Sequence, residues 1–294
     1  MRIMLVGHEG YLGTGLKTAL QARGHELIGW SRIQDIGKIT NSVLSEHRID
    51  SVINAATAMD RVHSRFTIDS PSDYVNVSGV RSLVTALADT SIKFIQLSSK
   101  DVYGDVFTEK DIEETNSRYI PHHLVDDLQA LNPKTIYAKT KLMGEFLAEA
   151  HPVSNIVRIT SCYTDHEHPH ENWMVKFCRS VAKRQVISLM GSGKQVRDLL
   201  HVDDLAELLH RMLKGQQWGL KVNAGGGIHN AVSLLETIHL INPHYTHIEH
   251  KEGGDYGFVA SNRLALETYN WKPQILFQDR IEALKELIFT GANR

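Results

Sequence analysis

Short apolar runs alternate with amphipathic stretches along the first half of the chain. Strands that alternate with helices in this way form a parallel sheet covered by helices on both faces. The pattern therefore predicts an α/β protein built on a doubly wound parallel sheet. The predicted strands are 2–6, 25–30, 50–56, 93–98 and 154–159, and the predicted helices between them are 11–22, 38–47, 74–89 and 134–150.

The pattern changes near residue 160. This change divides the chain into two predicted units, residues 1–160 and residues 161–294. The second unit is less regular than the first. Its predicted elements are helices near 172–183, 203–213 and 278–290, with loops near 161–171 and 190–200.

Composition excludes several kinds of partner. The 294 residues, 42% of them hydrophobic, can bury one large core or two modest ones. The formal net charge of −2 gives no general attraction to nucleic acid or to an anionic membrane, so neither is expected as a partner. Cys162 and Cys178 are the only cysteines, and the sequence has neither a signal-peptide pattern nor an apolar segment of membrane length. A reducing, cytoplasmic location is therefore expected.

A glycine-rich turn follows the first predicted strand. Gly7, Gly10 and Gly13 open an amphipathic stretch that runs through Leu16 and Leu20. Glycines in such a turn let the backbone approach a pyrophosphate, which rests on the amide groups and positive dipole of the helix N-terminus. The turn predicts a dinucleotide site, although glycines punctuate many other turns.

A tyrosine and a lysine stand four residues apart in the segment Tyr-Ala-Lys-Thr-Lys. Tyr137 and Lys141 therefore share one face of a predicted helix. An ammonium group beside a phenol lowers the pKa of the phenol, so we expect Lys141 to prepare Tyr137 for proton exchange.

The order of these motifs resembles the extended short-chain dehydrogenase/reductase family, in its group of nucleotide-sugar epimerases, reductases and dehydratases. The resemblance covers nearly the whole chain. It implies a Rossmann domain over 1–160 that binds NAD or NADP, and a smaller C-terminal substrate lobe over 161–294 interleaved with late strands of the sheet. Besides the glycine turn and residues 137–141, the matching segments are Asn-Ala-Ala at 54–56 and those at 74–79, 97–104, 191–198, 200–204 and 222–227.

The resemblance also implies roles for individual residues. Ser99, Tyr137 and Lys141 are the expected catalytic residues: Ser99 orients a sugar oxygen, Tyr137 exchanges its proton, and Lys141 also holds the nicotinamide ribose. The expected cofactor-binding residues, besides Tyr137 and Lys141, are Gly7, Gly10, Tyr11, Leu12, Gly13, Ser31, Arg32, Asp35, Ile36, Asn54, Ala55, Ala56 and Asn76.

The residues that follow the second strand bear on the choice of cofactor. A carboxylate there would bond the ribose 2′-hydroxyl of NAD, whereas a cation accommodates the 2′-phosphate of NADP. Ser31 and Arg32 stand at this place, so NADP is the expected cofactor and NAD is the alternative. Two structural alternatives to a cofactor role stay open: Arg32 is a solvated surface charge, and Asp35 is a capping residue.

The serine motif distinguishes among the activities of the family. Consecutive side chains at a strand end face opposite ways, and the offset from the segment 102–104 favours Ser99 over Ser98 as the residue that reaches the site. Sugar-nucleotide dehydratases usually carry an Asp-Glu pair directly after this serine or threonine. Lys100 and Asp101 stand there instead, which disfavours dehydration relative to reduction or epimerisation.

The resemblance places Arg197 and Asn172 against the diphosphate of a nucleotide-sugar substrate. Arg197 bridged to Asp198 or Asp203, and Asn172 as a plain helix cap, remain the structural alternatives. The insertion 105–133 either covers the site or contacts the hexose.

Three histidines alternate after the fifth strand, at 166, 168 and 170. This tract is expected to form an exposed polar loop, and no metal site is predicted. The same region lacks the Asn and Gly-Pro that are common in the family.

Two classes of function remain. The first is hydride exchange with a nucleotide sugar, either as NADPH-dependent reduction of a 4-keto sugar or, alternatively, as epimerisation by an enzyme that retains its dinucleotide. The second is a non-catalytic dinucleotide-binding sensor. The Ser99, Tyr137 and Lys141 set argues against a sensor, which has no need of an activated phenol. A homodimer is expected from the resemblance alone.

Overall fold

A parallel sheet forms the centre of the fold. The computed structural model describes residues 1–31, 34–59, 70–166, 168 and 172–291. Its six-stranded sheet has the spatial order β11 (Lys221–Ala224), β7 (Ser154–Ile159), β4 (Lys93–Ser99), β3 (Ser51–Asn54), β1 (Arg2–Val6) and β2 (Glu26–Trp30), and all neighbours are parallel. Because β2 and β3 flank β1 on opposite sides, the winding reverses there. The predicted doubly wound parallel sheet is confirmed.

Helices cover both faces of this sheet and build much of the remaining structure. No helix among the described residues is long and apolar enough to cross a membrane. The helices are α1 (Tyr11–Ala22), α2 (Asn41–Glu46), α3 (Pro71–Asp73), α4 (Gly79–Leu87), α5 (Ile136–Ala148), α6 (Trp173–Ala182), α7 (Val202–Lys214), α8 (Leu234–Ile241), α9 (Arg263–Tyr269) and α10 (Phe277–Gly291).

Alternate side chains of β1 enter two separate cores, one on each face of the sheet. Ile3 and Leu5 belong to the core that α1 and α7 cover, whereas Met4 and Val6 belong to the core that α4 covers. All of these side chains are buried. A strand buried on both faces is a continuous apolar run, which explains why the sequence alone located it.

Shorter strands and three helices build a lobe beside the sheet. Helices α6, α8 and α10 enclose its core, with Met174, Ile238 and Ile281 among the buried residues. The predicted division at residue 160 stays a prediction, since β11 and α7 from the later part of the chain pack on the central sheet. The remaining strands are β5 (Ile112–Glu114), β6 (Tyr119–Pro121), β8 (Ser161–Tyr163), β9 (Ile187–Met190), β10 (Val196–His201), β12 (Ala231–Ser233), β13 (Ile248–Lys251) and β14 (Gly257–Phe258).

Two segments predicted as loops contain strands. Strand β10 pairs in parallel with β8, so the loop predictions near 161–171 and 190–200 are wrong at these positions. The sequence hides β10 because Arg197 and Asp198 interrupt its apolar positions. The strand nevertheless buries Asp198, whose carboxylate accepts a hydrogen bond from the Ala260 amide at 3.0 Å.

The helix predicted over 74–89 begins earlier and contains a π-helical turn. Ser70 caps its start by accepting a hydrogen bond from the Asp73 amide, and α3 then leads through the π-helical turn Tyr74–Ser78 into α4. Such turns occur frequently at functional sites. This one carries Asn76, which is buried.

The insertion 105–133 is joined to the lobe by hydrogen bonds. The Arg118 guanidinium donates to the Glu236 carboxylate at 2.7 Å, and the Tyr119 amide donates to the Lys194 carbonyl at 2.8 Å. These contacts anchor the hairpin β5–β6 to the start of α8 and to the turn between β9 and β10.

Candidate active site

The glycine turn between β1 and α1 is shaped so that only glycine fits. Gly7 has a φ of +83°, and a Cβ there would lie 2.8 Å from the backbone of Ala56. A Cβ at Gly13 would overlap the Gly7 carbonyl oxygen, and the Gly10 amide donates to that same oxygen at 2.9 Å. No side chain caps the N-terminus of α1. The turn therefore leaves its helix amides available to a pyrophosphate.

The loop after β3 packs against this turn. Asn54 is buried, its amide group donates to Gln96 at 2.8 Å, and its oxygen accepts from the Ala56 amide at 3.1 Å. The Ala55 amide donates to the Val6 carbonyl at 3.0 Å. The structure thus brings residues 54–56 beside the glycine turn, where the sequence predicted them.

Tyr11 and Asn172 meet across the mouth of the site. The Tyr11 hydroxyl accepts hydrogen bonds from Asn172 Nδ2 at 2.7 Å and from the Thr164 amide at 3.1 Å, and burial raises the pKa of Tyr11. The Asn172 oxygen accepts from the Val175 amide at 2.9 Å and caps α6. Asn172 therefore serves as a cap and a tie to Tyr11 in this structure, while its predicted diphosphate contact stays a prediction. Leu12 is half-buried beside Tyr11.

The residues expected to contact the 2′ position of the cofactor ribose lie at the end of β2. Arg32 lies outside the described residues. Ser31 is buried, and its amide donates to the Gln34 side chain at 2.6 Å. The Asp35 carboxylate accepts from the Tyr74 hydroxyl at 2.6 Å, and this bond lowers the pKa of Asp35.

Ile36 adds little surface to that site. Its side chain is buried and packs tightly enough against α4 that a Cβ at Gly79 would lie 2.7 Å from it.

Ser99 and Tyr137, predicted as catalytic, lie close enough together that the Ser99 hydroxyl lowers the pKa of Tyr137. Ser99 ends β4 and also accepts a hydrogen bond from the Asp101 amide at 3.2 Å. Ser98 faces the other way and donates to the Glu145 carboxylate at 2.5 Å. Thr57, in the loop after β3, acts on the pKa of Tyr137 in the same direction. Both hydroxyl groups therefore favour ionisation of the Tyr137 phenol.

Lys141 lies one turn after Tyr137 on α5 but points into the protein. Its ammonium donates to the Leu97 carbonyl at 2.6 Å, and burial lowers the pKa of Lys141 to about 8, although the Glu145 carboxylate opposes this shift. Gln96 also donates to the Leu97 carbonyl, at 2.9 Å. A buried polar chain thus joins Lys141 to the loop after β3.

The electrostatics of Tyr137 differ from the expectation. Burial and the Asp101 carboxylate raise the pKa of Tyr137 to about 12, and the hydroxyls of Ser99 and Thr57 only partly offset them. The expectation that Lys141 lowers this pKa is wrong for the protein alone, because the ammonium is directed at the Leu97 carbonyl. Tyr137 is protonated at neutral pH and ready to donate a proton.

Lys100 and Asp101 form an ion pair beside the phenol. The two charged groups are 2.7 Å apart, and the Lys100 ammonium lies 5.2 Å from the centre of the Phe258 ring. The Asp101 carboxylate is therefore paired with a cation, while its negative charge raises the pKa of Tyr137.

Removal of the Asp101 charge should make Tyr137 easier to ionise. In Asp101→Asn the pKa of Tyr137 falls, so the step that needs the phenolate becomes faster at neutral pH and its pH limb moves to lower pH. The measurement is the pH dependence of sugar oxidation. Glu282→Asn, at an exposed position on α10, is the control; an unchanged limb in Asp101→Asn would contradict the assignment.

A buried ion pair lies beneath the catalytic residues. Arg158 on β7 and Glu145 on α5 approach to 2.7 Å, with side chains only 3% and 1% exposed. The Arg158 guanidinium also donates to the Tyr103 hydroxyl at 3.0 Å, and Tyr103 donates to Asn223 at 2.7 Å. This network connects α5 to β7, to β11 and to the turn after β4.

Arg197 lines a cavity of about 440 Å³ in the lobe. Its guanidinium donates to both carboxylate oxygens of Asp255, at 2.9 and 2.7 Å. Neither of the partners considered from the sequence, Asp198 or Asp203, pairs with Arg197. Apolar side chains form one wall of the cavity, and Asp105 from the insertion and Gln195 contribute polar groups; the apolar residues are Phe177, Leu189, Met190 and Leu234.

Burial raises the pKa of Asp255, but the Arg197 guanidinium and the Lys100 ammonium together bring it below its ordinary value. Lys100 therefore acts electrostatically on Asp255 of the cavity and also pairs with Asp101.

Sequence reasoning missed Thr57, Glu145 and Arg158. Thr57 directly follows the predicted cofactor residues 54–56, which was the available signal. Glu145 lies four residues after Lys141, a spacing that places both on one face of a helix. Arg158 gave no signal, because a charged residue within an apolar strand reads as an interruption.

The histidine tract contacts the glycine turn. His168 lies 2.9 Å from the Glu9 carbonyl, and its ring meets that of Tyr11 edge to face. His170 lies outside the described residues. Within the described part of the chain, no cluster of three or more metal-ligating side chains occurs.

The residues present fit a dinucleotide. The glycine cradle admits backbone approach, the amides of α1 face outward, and the loop after β3 and Tyr137 lie along the same carboxyl edge of the sheet. In open α/β sheets, ligands bind at this edge where the winding reverses.

Comparisons with known proteins agree with this site. Residues 3–225 match the model of the NAD dependent epimerase/dehydratase family. The chain is 23% identical to CDP-paratose 2-epimerase of Salmonella typhi, over 97% of this chain and 98% of that protein. It is 29% identical to human dTDP-D-glucose 4,6-dehydratase, over 71% of this chain and 57% of that protein.

A solved structure shares the fold. UDP-glucuronic acid 4-epimerase from Bacillus cereus, in complex with UDP-glucuronic acid and NAD, superposes with a TM-score of 0.82 at 19% identity, over 99% of each chain. The family model covers most of the chain, and the sheet, glycine turn and Ser99–Tyr137 pair stand in the order that the resemblance implied. The chain belongs to the NAD dependent epimerase/dehydratase family and is an enzyme of the extended short-chain dehydrogenase/reductase type.

Proposed function

We propose that this enzyme epimerises a nucleotide-linked sugar by oxidising one carbon and reducing it again on the opposite face. The proximity of Ser99 and Tyr137, at the edge where the glycine turn and the loop after β3 meet, carries this proposal. The similarity to CDP-paratose 2-epimerase along nearly the whole chain supports it.

Each polar residue of the site has a part in that reaction. When bound, the dinucleotide supplies the hydride acceptor and donor. Ser99 orients the sugar oxygen, and Tyr137, once ionised, takes the proton of that oxygen and later returns it. Lys141, whose ammonium is bonded to the Leu97 carbonyl, is proposed to hold the nicotinamide ribose, as the resemblance implies.

Dehydration is not proposed, although dehydratases are among the relatives. Removal of water across two carbons needs a second acid and base near the sugar. Lys100 stands where the resembling dehydratases carry the first carboxylate, and its ammonium is bonded to Asp101. The site therefore supports redox chemistry at a single carbon.

Reduction of a nucleotide-linked 4-keto sugar is the second candidate. A Tyr137 with a raised pKa is a proton donor, which is the role that carbonyl reduction requires. A preference for NADP would accompany this activity and rests on Ser31 and Arg32 in the sequence.

We propose NAD as the cofactor of the epimerase, since the similar Bacillus cereus epimerase holds NAD. The preference for NADP stays a prediction. Denaturing the purified protein and identifying any released nucleotide tests both: retained NAD supports an epimerase, whereas an empty protein that binds NADPH more tightly than NADH supports a reductase.

The activity test uses UDP-, CDP- and dTDP-linked sugars. An epimerase interconverts two sugar nucleotides with no net consumption of NADH or NADPH, which separation of the products detects. Stoichiometric consumption of NADPH with a 4-keto sugar would replace the proposal by the reductase.

We also propose a homodimer that forms through α5. Met143 and Phe146, two large apolar side chains on this helix, are 41% and 61% exposed. Exposed apolar surface of this kind marks sites of protein–protein contact. Phe146→Glu is expected to yield a monomer by sedimentation equilibrium, whereas Leu128→Glu, at an exposed loop position, leaves the dimer intact. A wild-type monomer would contradict the proposal.

A further inference from the structure

The loop after β2 holds one carboxylate residue in a strained backbone conformation. Asp35 has a φ of +63°, in the left-handed region that residues other than glycine seldom adopt. The Trp30 indole donates to the Asp35 carbonyl at 2.9 Å, and the Lys38 amide donates to the same oxygen at 3.1 Å. Strain of this kind persists only where the surrounding structure imposes it, and it concentrates at ligand sites. The conformation of Asp35 therefore indicates a functional position.

The side chain of Asp35 is held as firmly as its backbone. The Tyr74 hydroxyl donates to Oδ1 at 2.6 Å, and the Gly37 amide donates to the same oxygen at 2.9 Å. The bond from Gly37 caps the 3₁₀ turn Ile36–Lys38, and this cap does not need Tyr74. Among the described residues, no hydrogen bond uses Oδ2 of Asp35. One oxygen of a fixed carboxylate therefore remains for a ligand.

The bond from Tyr74 also keeps this carboxylate ionised. It is the largest cause that lowers the pKa of Asp35, and the Gly37 amide lowers the pKa further. An ionised carboxylate accepts hydrogen bonds and donates none, so its free oxygen selects a ligand group that carries a proton. Asp35 is therefore suited to an amine or a hydroxyl, and unsuited to an oxygen that only accepts.

Tyr74 reaches Asp35 from the π-helical turn Tyr74–Ser78, which leads into α4. The loop packs on the start of this helix, since Ile36 is so close that a Cβ at Gly79 would lie 2.7 Å from it. The Tyr74 side chain itself is 44% exposed, so burial in the core does not account for its position. A tyrosine on a packed base is thus available to set the direction of the Asp35 carboxylate.

The order of residues along the edge of the sheet indicates which part of a dinucleotide Asp35 meets. The adenosine half of a dinucleotide runs from pyrophosphate through ribose to adenine. The glycine turn suits the pyrophosphate, and Ser31, directly after β2, stands where the ribose 2′ group is read. Asp35 follows farther along the same loop, beyond the ribose position. Adenine carries an exocyclic amine, which is the kind of donor that the free oxygen of Asp35 requires.

We propose that Tyr74 is a positioning residue, which directs the free oxygen of Asp35 at the exocyclic amine of adenine and so lets the enzyme distinguish adenine from hypoxanthine in its dinucleotide. Hypoxanthine presents an acceptor oxygen in place of the amine, and this oxygen would face the carboxylate. NAD and NADP share adenine, so the proposal applies to either cofactor. It rests on the dinucleotide site and is independent of what happens to the sugar.

Equilibrium binding of NADH and of reduced nicotinamide hypoxanthine dinucleotide tests the proposal without a sugar. Charcoal treatment first removes any nucleotide carried through purification, and the fluorescence of the reduced nicotinamide reports both ligands. The wild type should bind NADH about 10-fold or more tightly than the hypoxanthine analogue. In Tyr74→Phe this ratio should fall about threefold or more, because the Asp35 carboxylate is no longer directed. Tyr245→Phe, which removes a hydroxyl within the lobe, is the matched control and should keep the wild-type ratio.

A second substitution separates positioning from a general structural effect. Asp35→Asn keeps the size of the side chain, and asparagine tolerates the left-handed backbone. Its amide both donates and accepts, so the two dinucleotides should bind about equally to this variant. Tyr74→Phe should then have no further effect on the ratio in the Asp35→Asn background, since Tyr74 acts only through Asp35.

Several results would overturn the proposal. Equal binding of the two dinucleotides by the wild type would show that Asp35 does not read adenine. A wild-type ratio in Tyr74→Phe would show that Asp35 needs no positioning, and an equal loss of affinity for both ligands would give Tyr74 a structural role. A changed preference between NADH and NADPH, with the adenine ratio intact, would assign Asp35 to the ribose. Conversely, the expected ratios in a protein that converts no sugar nucleotide would retain Tyr74 and reject the proposed function.

Discussion

Replacement of Tyr137 by phenylalanine is expected to lower turnover by about 10² to 10⁴-fold while leaving dinucleotide binding intact. A positioned acid or base contributes a factor of this size. The ring of Tyr137 keeps its packing in the variant, and only the hydroxyl, on whose pKa Ser99 and Thr57 act, is lost.

The measurement is kcat with the sugar nucleotide identified by the activity test, alongside NADH and NAD binding by fluorescence or calorimetry. Tyr245→Phe is the control, since this hydroxyl bonds backbone carbonyls within the lobe, away from the glycine turn. Turnover near the wild-type value in Tyr137→Phe would contradict the assignment of the phenol, and loss of dinucleotide binding would assign it a structural role instead.

Neutralisation of Glu145 is expected to destabilise the fold by about 3–5 kcal/mol. In Glu145→Gln the buried Arg158 guanidinium loses its paired carboxylate and keeps hydrogen bonds to Tyr103 and the Asp127 carbonyl, with the Asp127 carboxylate as the remaining charge that acts on it. Removal of one member of a buried pair leaves an uncompensated charge, and this cost exceeds the net contribution of the pair itself.

Equilibrium unfolding in urea measures this cost, provided that the denaturant slope is unchanged. Arg158→Met combined with Glu145→Gln should be more stable than Glu145→Gln alone, because the unpaired charge is gone. Glu282→Gln removes half of an exposed ion pair with Lys285 and should change the free energy of unfolding by less than about 1 kcal/mol. A Glu145→Gln protein as stable as the Glu282→Gln protein would show that water or a rearranged side chain compensates Arg158.

The same substitution has a second consequence for the site. The Glu145 carboxylate raises the pKa of Lys141 against the effect of burial. Its loss would lower that pKa further from about 8, and the ammonium would then lose its proton at a lower pH. Stability and the charge at the site therefore depend on one carboxylate.

The sequence located those parts of the fold whose signal is local. The strand 2–6 and the helix 11–22 agree with the structure to the residue, because both faces of β1 are apolar and α1 has a regular apolar stripe. The glycine turn was equally visible, since its geometry depends on adjacent residues.

Long-range pairing explains what the sequence did not locate. Strand β10 contains a buried carboxylate and a charged arginine, and it becomes a strand by pairing with β8, β12 and β14, most of which lie far along the chain. The pKa of Tyr137 was misjudged for a related reason. Spacing on α5 places Lys141 one turn away, but the direction of its ammonium is decided by the Leu97 carbonyl on a neighbouring strand.

The candidate site shows the same division. Ser99, Tyr137 and the glycines were found as motifs, whereas Thr57 acts on the pKa of Tyr137 only because the loop after β3 lies beside α5. Asn76 was predicted as a cofactor residue, yet its four hydrogen bonds make it a structural centre for residues 57, 58 and 140.

The bidentate bridge between Arg197 and Asp255 means that an anion reaching Arg197 would have to displace a carboxylate. An incoming anion competes with a carboxylate already in place, so a small free anion such as inorganic phosphate gains little from Arg197. A ligand that presents an anion to Arg197 and hydroxyl donors to the released Asp255 satisfies both groups at once. We therefore expect the cavity to favour ligands that carry both an anion and hydroxyl donors over ligands that carry only one of the two.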